Sequence, residues 1–232
     1  MEPAPPAPPA PPPAGLPWEE RGRVGFATGL VETIRLFVTE PGTAWTRTRR
    51  SGDLASPIFF AILLGWLGIA LQSVWNLVFP FGGRFLLPEH FGRGLGFLFA
   101  TSLFGLALRV ILAPIFLVIG LFVASAIVHL FLMLFSGTKD SDAGFEGTLR
   151  SLAYSHVAQL ALVVPIAGGL VAMVWAIFLN TLGLAALHRT SQGKALAALL
   201  LPLVLCCVCV ALAFMGLFAA IFGAAAAAGR GH

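Results

Sequence analysis

Charged residues are scarce in this chain, and long stretches have almost none. Asp, Glu, Lys and Arg make up 10% of its 232 residues. Residues 54–83 carry no formal charge, and residues 95–135, 151–187 and 195–229 carry only Arg109 between them. Each run exceeds the about 20 apolar residues that cross a bilayer core. This scarcity of charge excludes a water-soluble enzyme and predicts an all-α, multi-pass membrane protein.

Cysteine is nearly absent as well. Cys206, Cys207 and Cys209 all lie within the last apolar run, and no cysteine elsewhere in the chain is available to pair with them. Their spacing on one helix cannot surround a metal ion, and the chain has no HExxH motif or other pair of catalytic groups. We therefore expect no disulfide framework, no cofactor and no enzymatic activity.

The composition divides the chain into four parts. Residues 1–17 hold nine of the sixteen prolines, which favours a disordered extended tail. Residues 18–53 are basic, residues 54–224 form the membrane domain, and residues 225–232 are expected to be a flexible tail.

Residues 24–38 of the basic part have helical apolar periodicity, but they are too few to cross a bilayer. We predict an amphipathic helix that lies on the membrane face, and packing of this helix under the bundle is a compatible alternative. Trp18 and Trp45 are the expected interfacial anchors, and three arginines just before the first span are expected to contact anionic lipid: Arg47, Arg49 and Arg50. No RNA-binding signature accompanies them, so nucleic acid is not an expected partner.

Proline, glycine and one arginine set the expected span boundaries. Arg109 is expected to divide residues 95–135, with residues 95–108 at the interface or dipping into the membrane; two short spans are the alternative. Pro165 and the glycines after it predict a turn between antiparallel helices. The sequence thus predicts five spans, at residues 57–79, 110–135, 151–166, 169–188 and 195–222.

The distribution of Lys and Arg predicts the orientation. With five spans and the N-terminus inside, ten basic residues fall in cytoplasmic segments and four on the other side. By the positive-inside rule, we expect a cytoplasmic N-terminus and an external C-terminus.

Histidines near the expected cytoplasmic ends of the spans are the candidates for a site at membrane depth. His129, His156 and His188 could converge on a metal ion or a proton path. The alternative, which we favour, is that they hydrogen bond at helix ends, and that Tyr154 is an interfacial anchor. Nearby, residues 141–146 are expected to begin a helix rather than bind calcium.

The second half of the chain resembles a known family. Residues 147–154, followed by Pro165, Trp175, His188 and Pro202, are similar to the signature of the Yip domain family. The resemblance implies five spans with a cytoplasmic N-terminus and, in eukaryotic members, Rab GTPase binding in vesicle traffic. The high Arg-to-Lys ratio and the abundance of Ala indicate a bacterial member in the inner membrane, where no Rab cycle is expected.

Two functions from different classes compete. The first is a scaffold, assembly partner or membrane organiser that acts through helix packing and its basic segment, with another membrane protein or a second copy as its partner. The second is a transporter or channel for ions or small solutes, which only the helix break near Pro165 suggests.

Overall fold

The structure is a computed structural model that describes residues 15–78 and 103–228. The described chain is helical and contains no strand. Its helices are α1 (Arg21–Val24), α2 (Phe26–Thr39), α3 (Pro41–Arg47), α4 (Ala55–Val78), α5 (Leu103–Leu134), α6 (Gly144–Tyr154), α7 (Gly168–His188) and α8 (Gln192–Ala228). A 3-10 helix, Ser155–Val163, continues α6 directly. Most of the expected N-terminal tail lies outside the described residues.

Four helices are long and apolar enough to cross a membrane. They are Ala55–Trp75 in α4, Ala107–Leu134 in α5, Gly168–His188 in α7 and Gln192–Gly216 in α8. The predicted count of five is not confirmed, because residues 151–166 are divided between the end of α6, the 3-10 helix and a turn.

Arg109 does not divide the second apolar run as the sequence suggested. Helix α5 begins at Leu103 and continues through Arg109, whose side chain is exposed. A long arginine side chain can extend to the interface while its backbone stays helical, so a charge alone does not end a helix. Residues 95–102 of the predicted interfacial piece lie outside the described part of the chain.

The segment formed by α6 and the 3-10 helix runs beside α4. Near the start of α4 the rings of Phe60 and Tyr154 are 5.2 Å apart, and near its end Trp75 Nε1 donates to the Leu162 carbonyl at 2.8 Å. The chain then turns at residues 165–167, as predicted from Pro165, and returns as α7.

Residues 15–53, which we call the N-terminal cap, cover one end of this bundle. Helix α2 lies within the cap and buries Gly29, Thr33 and Phe37. The cap includes α3 and packs against the start of α4, the end of α6 and the start of the 3-10 helix. Fully buried side chains lie between them, among them Leu16, Trp18, Phe37, Phe60, Tyr154 and Val157. Residues 26–39 form helix α2, which packs on the bundle. The amphipathic helix on the membrane face that the sequence predicted at residues 24–38 is not confirmed.

Candidate functional site

Trp18 attaches the cap to the first turn of α4. Its indole Nε1 donates to the Ser56 carbonyl at 2.7 Å, and its backbone N–H donates to Thr33 Oγ1 at 2.8 Å. Its ring packs edge-on against Phe60 with centroids 5.9 Å apart, and the residue is 0% exposed. The structure therefore places this expected interfacial anchor inside the protein.

Trp45 is also buried, on the other side of Tyr154. Its ring meets Phe37 edge-on at 4.8 Å, and it lies against α7 at Gly183. A Cβ at Gly183 would lie 2.5 Å from Ser151 Oγ and 2.7 Å from Trp45 Cζ2. The absence of a side chain at Gly183 is what lets the cap approach α7 so closely.

A buried ion pair lies beneath these tryptophans and joins residues 131 positions apart in sequence. Glu19 Oε1 accepts a hydrogen bond from Arg150 Nη1 at 3.2 Å and another from the Tyr154 hydroxyl at 3.0 Å. Its other oxygen accepts from the backbone N–H of Arg49 at 3.1 Å. The side chains of Glu19 and Arg150 are both 0% exposed. This cluster connects the cap to α6.

Burying the charges of Glu19 and Arg150 costs free energy unless all their hydrogen-bond partners are in place. Burial raises the pKa of Glu19 above its usual 4.5, while the Arg49 N–H, Tyr154 and Arg150 act to lower it. Arg150 Nε is buried without a hydrogen-bond partner. The pair therefore adds little net stability over an apolar contact but strongly disfavours any docking of the cap that separates Glu19 from Arg150.

Exposed ion pairs connect the loops around this cluster. Asp142, between α5 and α6, lies 3.3 Å from Arg50 Nη1 and 3.4 Å from Arg189 Nη2. Glu146 Oε2 accepts from the Gly52 N–H at 2.9 Å. The loops that precede α4, α6 and α8 therefore meet at the same end of the bundle. Helix α6 begins at Gly144, in agreement with the prediction that residues 141–146 start a helix.

Two of the three candidate histidines meet through a threonine. His129 Nδ1 lies 2.8 Å from Thr148 Oγ1, which in turn lies 2.9 Å from His188 Nε2. The second nitrogen of His188, Nδ1, is 2.9 Å from Ser141 Oγ. The result is a hydrogen-bonded chain from the α5–α6 loop to a histidine within α5.

His156 lies elsewhere, against the bundle interior. Its Nδ1 donates to the Leu152 carbonyl at 2.9 Å, within its own segment. Across residues 15–78 and 103–228, no group of three or more His, Cys, Asp or Glu side chains is placed to hold a metal ion. The hydrogen bonds described for the three histidines go to hydroxyl and backbone groups, and the expectation that these residues serve only as hydrogen-bonding groups at helix ends stays a prediction.

The other residues singled out from the sequence lie in a turn, in the protein core, within a helix or on the surface. Pro165 lies in the turn before α7, Trp175 packs partly buried against the core of the cap, and Pro202 lies within α8. Of the arginines predicted to contact lipid, Arg47 and Arg49 are exposed and Arg50 is half-buried. Their contact with lipid stays a prediction.

Sequence reasoning did not identify Glu19, Ser141, Thr148 or Arg150 as members of polar clusters. For Arg150 a signal existed, because it is the one charge directly before the run at residues 151–187. Glu19 had none, since an acidic pair after a proline-rich tail is typical of an exposed segment.

The residues of the family-like motif account for most of these contacts. Thr148 joins two histidines, Arg150 pairs with Glu19, and Tyr154 fills the core. A family model for the Yip1 domain matches residues 34–214, which is most of the chain. The chain belongs to the Yip1 domain family. The resemblance read from the sequence is thereby confirmed.

The Yip1 domain match begins after two of the residues that attach the cap. Trp18 and Glu19 precede residue 34, whereas Arg150 and Tyr154, the partners of Glu19, lie within the matched region. The N-terminal extension of this Yip1 domain is thus attached to it by buried contacts. No curated protein and no solved structure matches the chain.

Proposed function

We propose that this Yip1 domain protein is a non-enzymatic membrane scaffold, in which the cap and the bundle act as one platform for a partner protein or for lipid organisation. The observation that carries the proposal is the buried cluster of Glu19, Arg150 and Tyr154. A segment held by a buried ion pair has one docked position, and a defined surface is what an assembly partner needs.

The outer surface of the cap combines apolar and cationic side chains. Phe26, Val31 and Val38 are exposed on α2, and the exposed Arg23 and Arg35 near them pair with Glu20 and Glu32. The apolar side chains suit the membrane interface, and the exposed Arg47 at the end of α3 adds a cation that would contribute about 1 kcal/mol on an anionic leaflet. We include anionic lipid as a partner on this ground.

We further propose that the chain crosses the membrane five times, with α6 and the 3-10 helix together as the third crossing. The His188 end of α7 lies beside Ser141 and Gly147, and its Gly168 end lies beside Ala161. The segment between must therefore follow the length of α7. At about 1.5 Å per residue for α6 and about 2.0 Å for the 3-10 helix, it is long enough for a bilayer core.

Five crossings would put the two termini on opposite sides, and the ten basic residues in the segments on the N-terminal side favour a cytoplasmic N-terminus and an external C-terminus. We place the protein in a bacterial inner membrane because of its high Arg-to-Lys ratio and abundance of Ala. The test replaces Cys206, Cys207 and Cys209 by Ala and introduces single cysteines near residues 49, 83, 140, 191 and 230. Positions 49, 140 and 191 should react with an impermeant reagent only from the cytoplasmic side. Reaction of positions 49 and 230 from the same side would rule out an odd number of crossings.

The scaffold role is tested by quantitative cross-linking of the full-length protein in native membranes. A scaffold should yield a partner, or a second copy, in near-stoichiometric amount. That amount should fall in an Arg150→Met variant, which disturbs the docked cap, and should persist in Arg189→Met, which changes an exposed arginine. Equal recovery from both variants, or no stoichiometric product, would contradict the proposal.

The lipid part is tested with the full chain in nanodiscs that contain neutral and anionic lipid. Replacement of Arg47, Arg49 and Arg50 by Gln should reduce the anionic lipid that co-purifies with the protein. An unchanged lipid ratio would contradict lipid binding by the cap and leave the protein-scaffold role intact.

A further inference from the structure

A cavity of about 400 Å³ lies between α4, α5, α7 and the 3-10 helix. Its apolar wall includes Ile69, Phe116, Leu117 and Leu121. Gly120, in the middle of the span of α5, also lines it, and Phe116 at its edge is 65% exposed. The cavity is thus reached from the part of the bundle surface that faces lipid.

The opposite wall is polar. Ser155, His156, Gln159 and Asn180 all line the cavity. Ser155 offers almost no surface to the cavity, because it is 3% exposed and its hydroxyl is enclosed by protein. His156, Gln159 and Asn180 are partly exposed, so they supply the polar surface that a ligand can reach.

The chemistry of this wall defines the ligand's polar group. His156 Nδ1 donates to a carbonyl, so in the neutral imidazole Nε2 is an acceptor. The Gln159 side-chain amide can both donate and accept. No lining residue is Asp, Glu, Lys or Arg. A phosphate or carboxylate would find no counter-charge here, whereas a neutral hydroxyl group would find both donors and acceptors.

The volume and the apolar wall define the rest of the ligand. A volume of about 400 Å³ lies in the ordinary range of small-molecule sites, about 300–1,000 Å³. The apolar side chains disfavour filling by water alone. At the depth of Gly120, the bilayer supplies hydrocarbon chains directly.

We propose that this cavity binds a neutral, single-chain amphiphile from the bilayer, with its hydroxyl group at His156 Nε2 and the Gln159 amide and its hydrocarbon chain along Phe116, Leu117 and Leu121. The platform function does not require this site. The protein would therefore also be a binding protein for a long-chain alcohol or a chemically similar lipid.

The test uses the full-length protein in nanodiscs and a photoreactive analogue of hexadecanol. Labelling should be saturable, and the labelled peptides should be those that contain residues 116–124, 155–159 or 176–180. Unlabelled hexadecanol should compete, and hexadecane, which lacks the hydroxyl, should compete about fivefold less well, the effect of one hydrogen bond. Equal competition by the two would overturn the hydroxyl assignment.

Glycine substitutions provide matched variants. A Cβ at Gly120 would meet no other atom within 4 Å, so Gly120→Leu should fill the cavity without a clash. Saturable labelling should fall by about tenfold or more. Gly216 is equally open but lies on α8, outside the cavity, so Gly216→Leu should label like the wild type. Unchanged labelling of Gly120→Leu would overturn the proposal.

Two further variants separate binding from folding. Gly120→Ala occupies less of the cavity and should give an intermediate loss of labelling in a protein of unchanged thermal stability. Gln159→Met keeps the length of the side chain and should lower the preference for hexadecanol over hexadecane. A preference that is unchanged in Gln159→Met would overturn the assignment of the ligand's hydroxyl to this wall.

Discussion

The two ends of the bundle are built differently. At the capped end, aromatic side chains from α2, α3, α4 and α6 are buried together, and Glu19 and Arg150 form a buried ion pair. Beyond Pro202, in the part that we call distal α8, every residue from 203 to 216 is exposed, and nearly all are apolar. One end is held by specific contacts, and the other presents a continuous apolar surface.

This difference follows from the contacts that each region makes. Lipid chains are as apolar as the side chains of α8, so exposure of that helix to lipid costs little and burial against protein gains little. At the capped end, aromatic burial and polar pairing fix a structure. Substitutions should therefore have large effects at the capped end and small effects on distal α8.

The largest expected effect comes from Arg150→Met. This change removes the buried cation beside the Glu19 carboxylate and leaves the half-exposed Arg49 guanidinium at 3.8 Å. Loss of one partner from a buried pair costs about 3–5 kcal/mol. Thermal unfolding of the purified protein, monitored by protease cleavage within the cap, measures this loss of stability. The distal control is Leu205→Ala at an exposed position of α8, where we expect little change.

A double variant tests whether Glu19 and Arg150 are energetically coupled. Glu19→Gln combined with Arg150→Met removes both charges and should recover part of the stability lost in Arg150→Met. Strictly additive losses would show that the two side chains are not coupled, despite the 3.2 Å contact between them.

The second effect concerns close packing and compares two glycines. Gly183→Val places a side chain against Ser151 and Trp45, and overpacking of this kind costs about 1–3 kcal/mol. Gly216→Val, on distal α8, meets no atom within 4 Å and should be tolerated. If both variants unfold at the same temperature as the wild type, the cap does not depend on this close approach.

The sequence predicted the parts of the fold that follow from local pattern. The long apolar runs form α4, α5, α7 and α8, and Pro165 lies in the turn before α7. The division at Arg109 was wrong, because helix formation depends on backbone hydrogen bonds and a charged side chain does not interrupt them.

The contacts that hold the cap could not be predicted in the same way. Glu19 and Arg150 are 131 residues apart, and nothing in either local sequence specifies the other. Trp18 and Trp45 lie in local sequences that are typical of a membrane interface. Their burial could not be predicted, because it depends on the packing of the whole capped end. The pairing of His129 with His188 through Thr148 likewise required the relative placement of three helices.

The third effect compares two threonines. Thr148→Val keeps the shape of the side chain but removes the hydroxyl between His129 and His188, and unmet buried polar groups cost about 1–3 kcal/mol. Thr181 donates only to the Ile177 carbonyl of its own helix, so Thr181→Val should cost much less. Equal stability losses in thermal unfolding would contradict a role for the histidine link.

The smallest effect is a pH dependence at Glu19. Because burial raises its pKa in the folded protein above 4.5, the folded state holds this proton more tightly than the unfolded state. The contribution of Glu19 to stability is therefore present at low pH and is lost as pH rises through the raised pKa. The stability of the wild type relative to Glu19→Gln should fall as pH rises from about 4.5, with a slope no steeper than about 1.4 kcal/mol per pH unit.

Glu20 supplies the control with the opposite sign. Its hydrogen bond from Arg23 lowers its pKa, so its contribution is present above its usual pKa and is lost as pH falls. The stability of the wild type relative to Glu20→Gln should therefore fall on acidification, whereas the Glu19 difference should rise. Chemical denaturation of the three proteins between pH 4 and pH 8 measures both differences. Two curves with the same sign would show that Glu19 is solvated like its neighbour, and the contrast between a buried capped end and an exposed surface would not extend to this carboxylate.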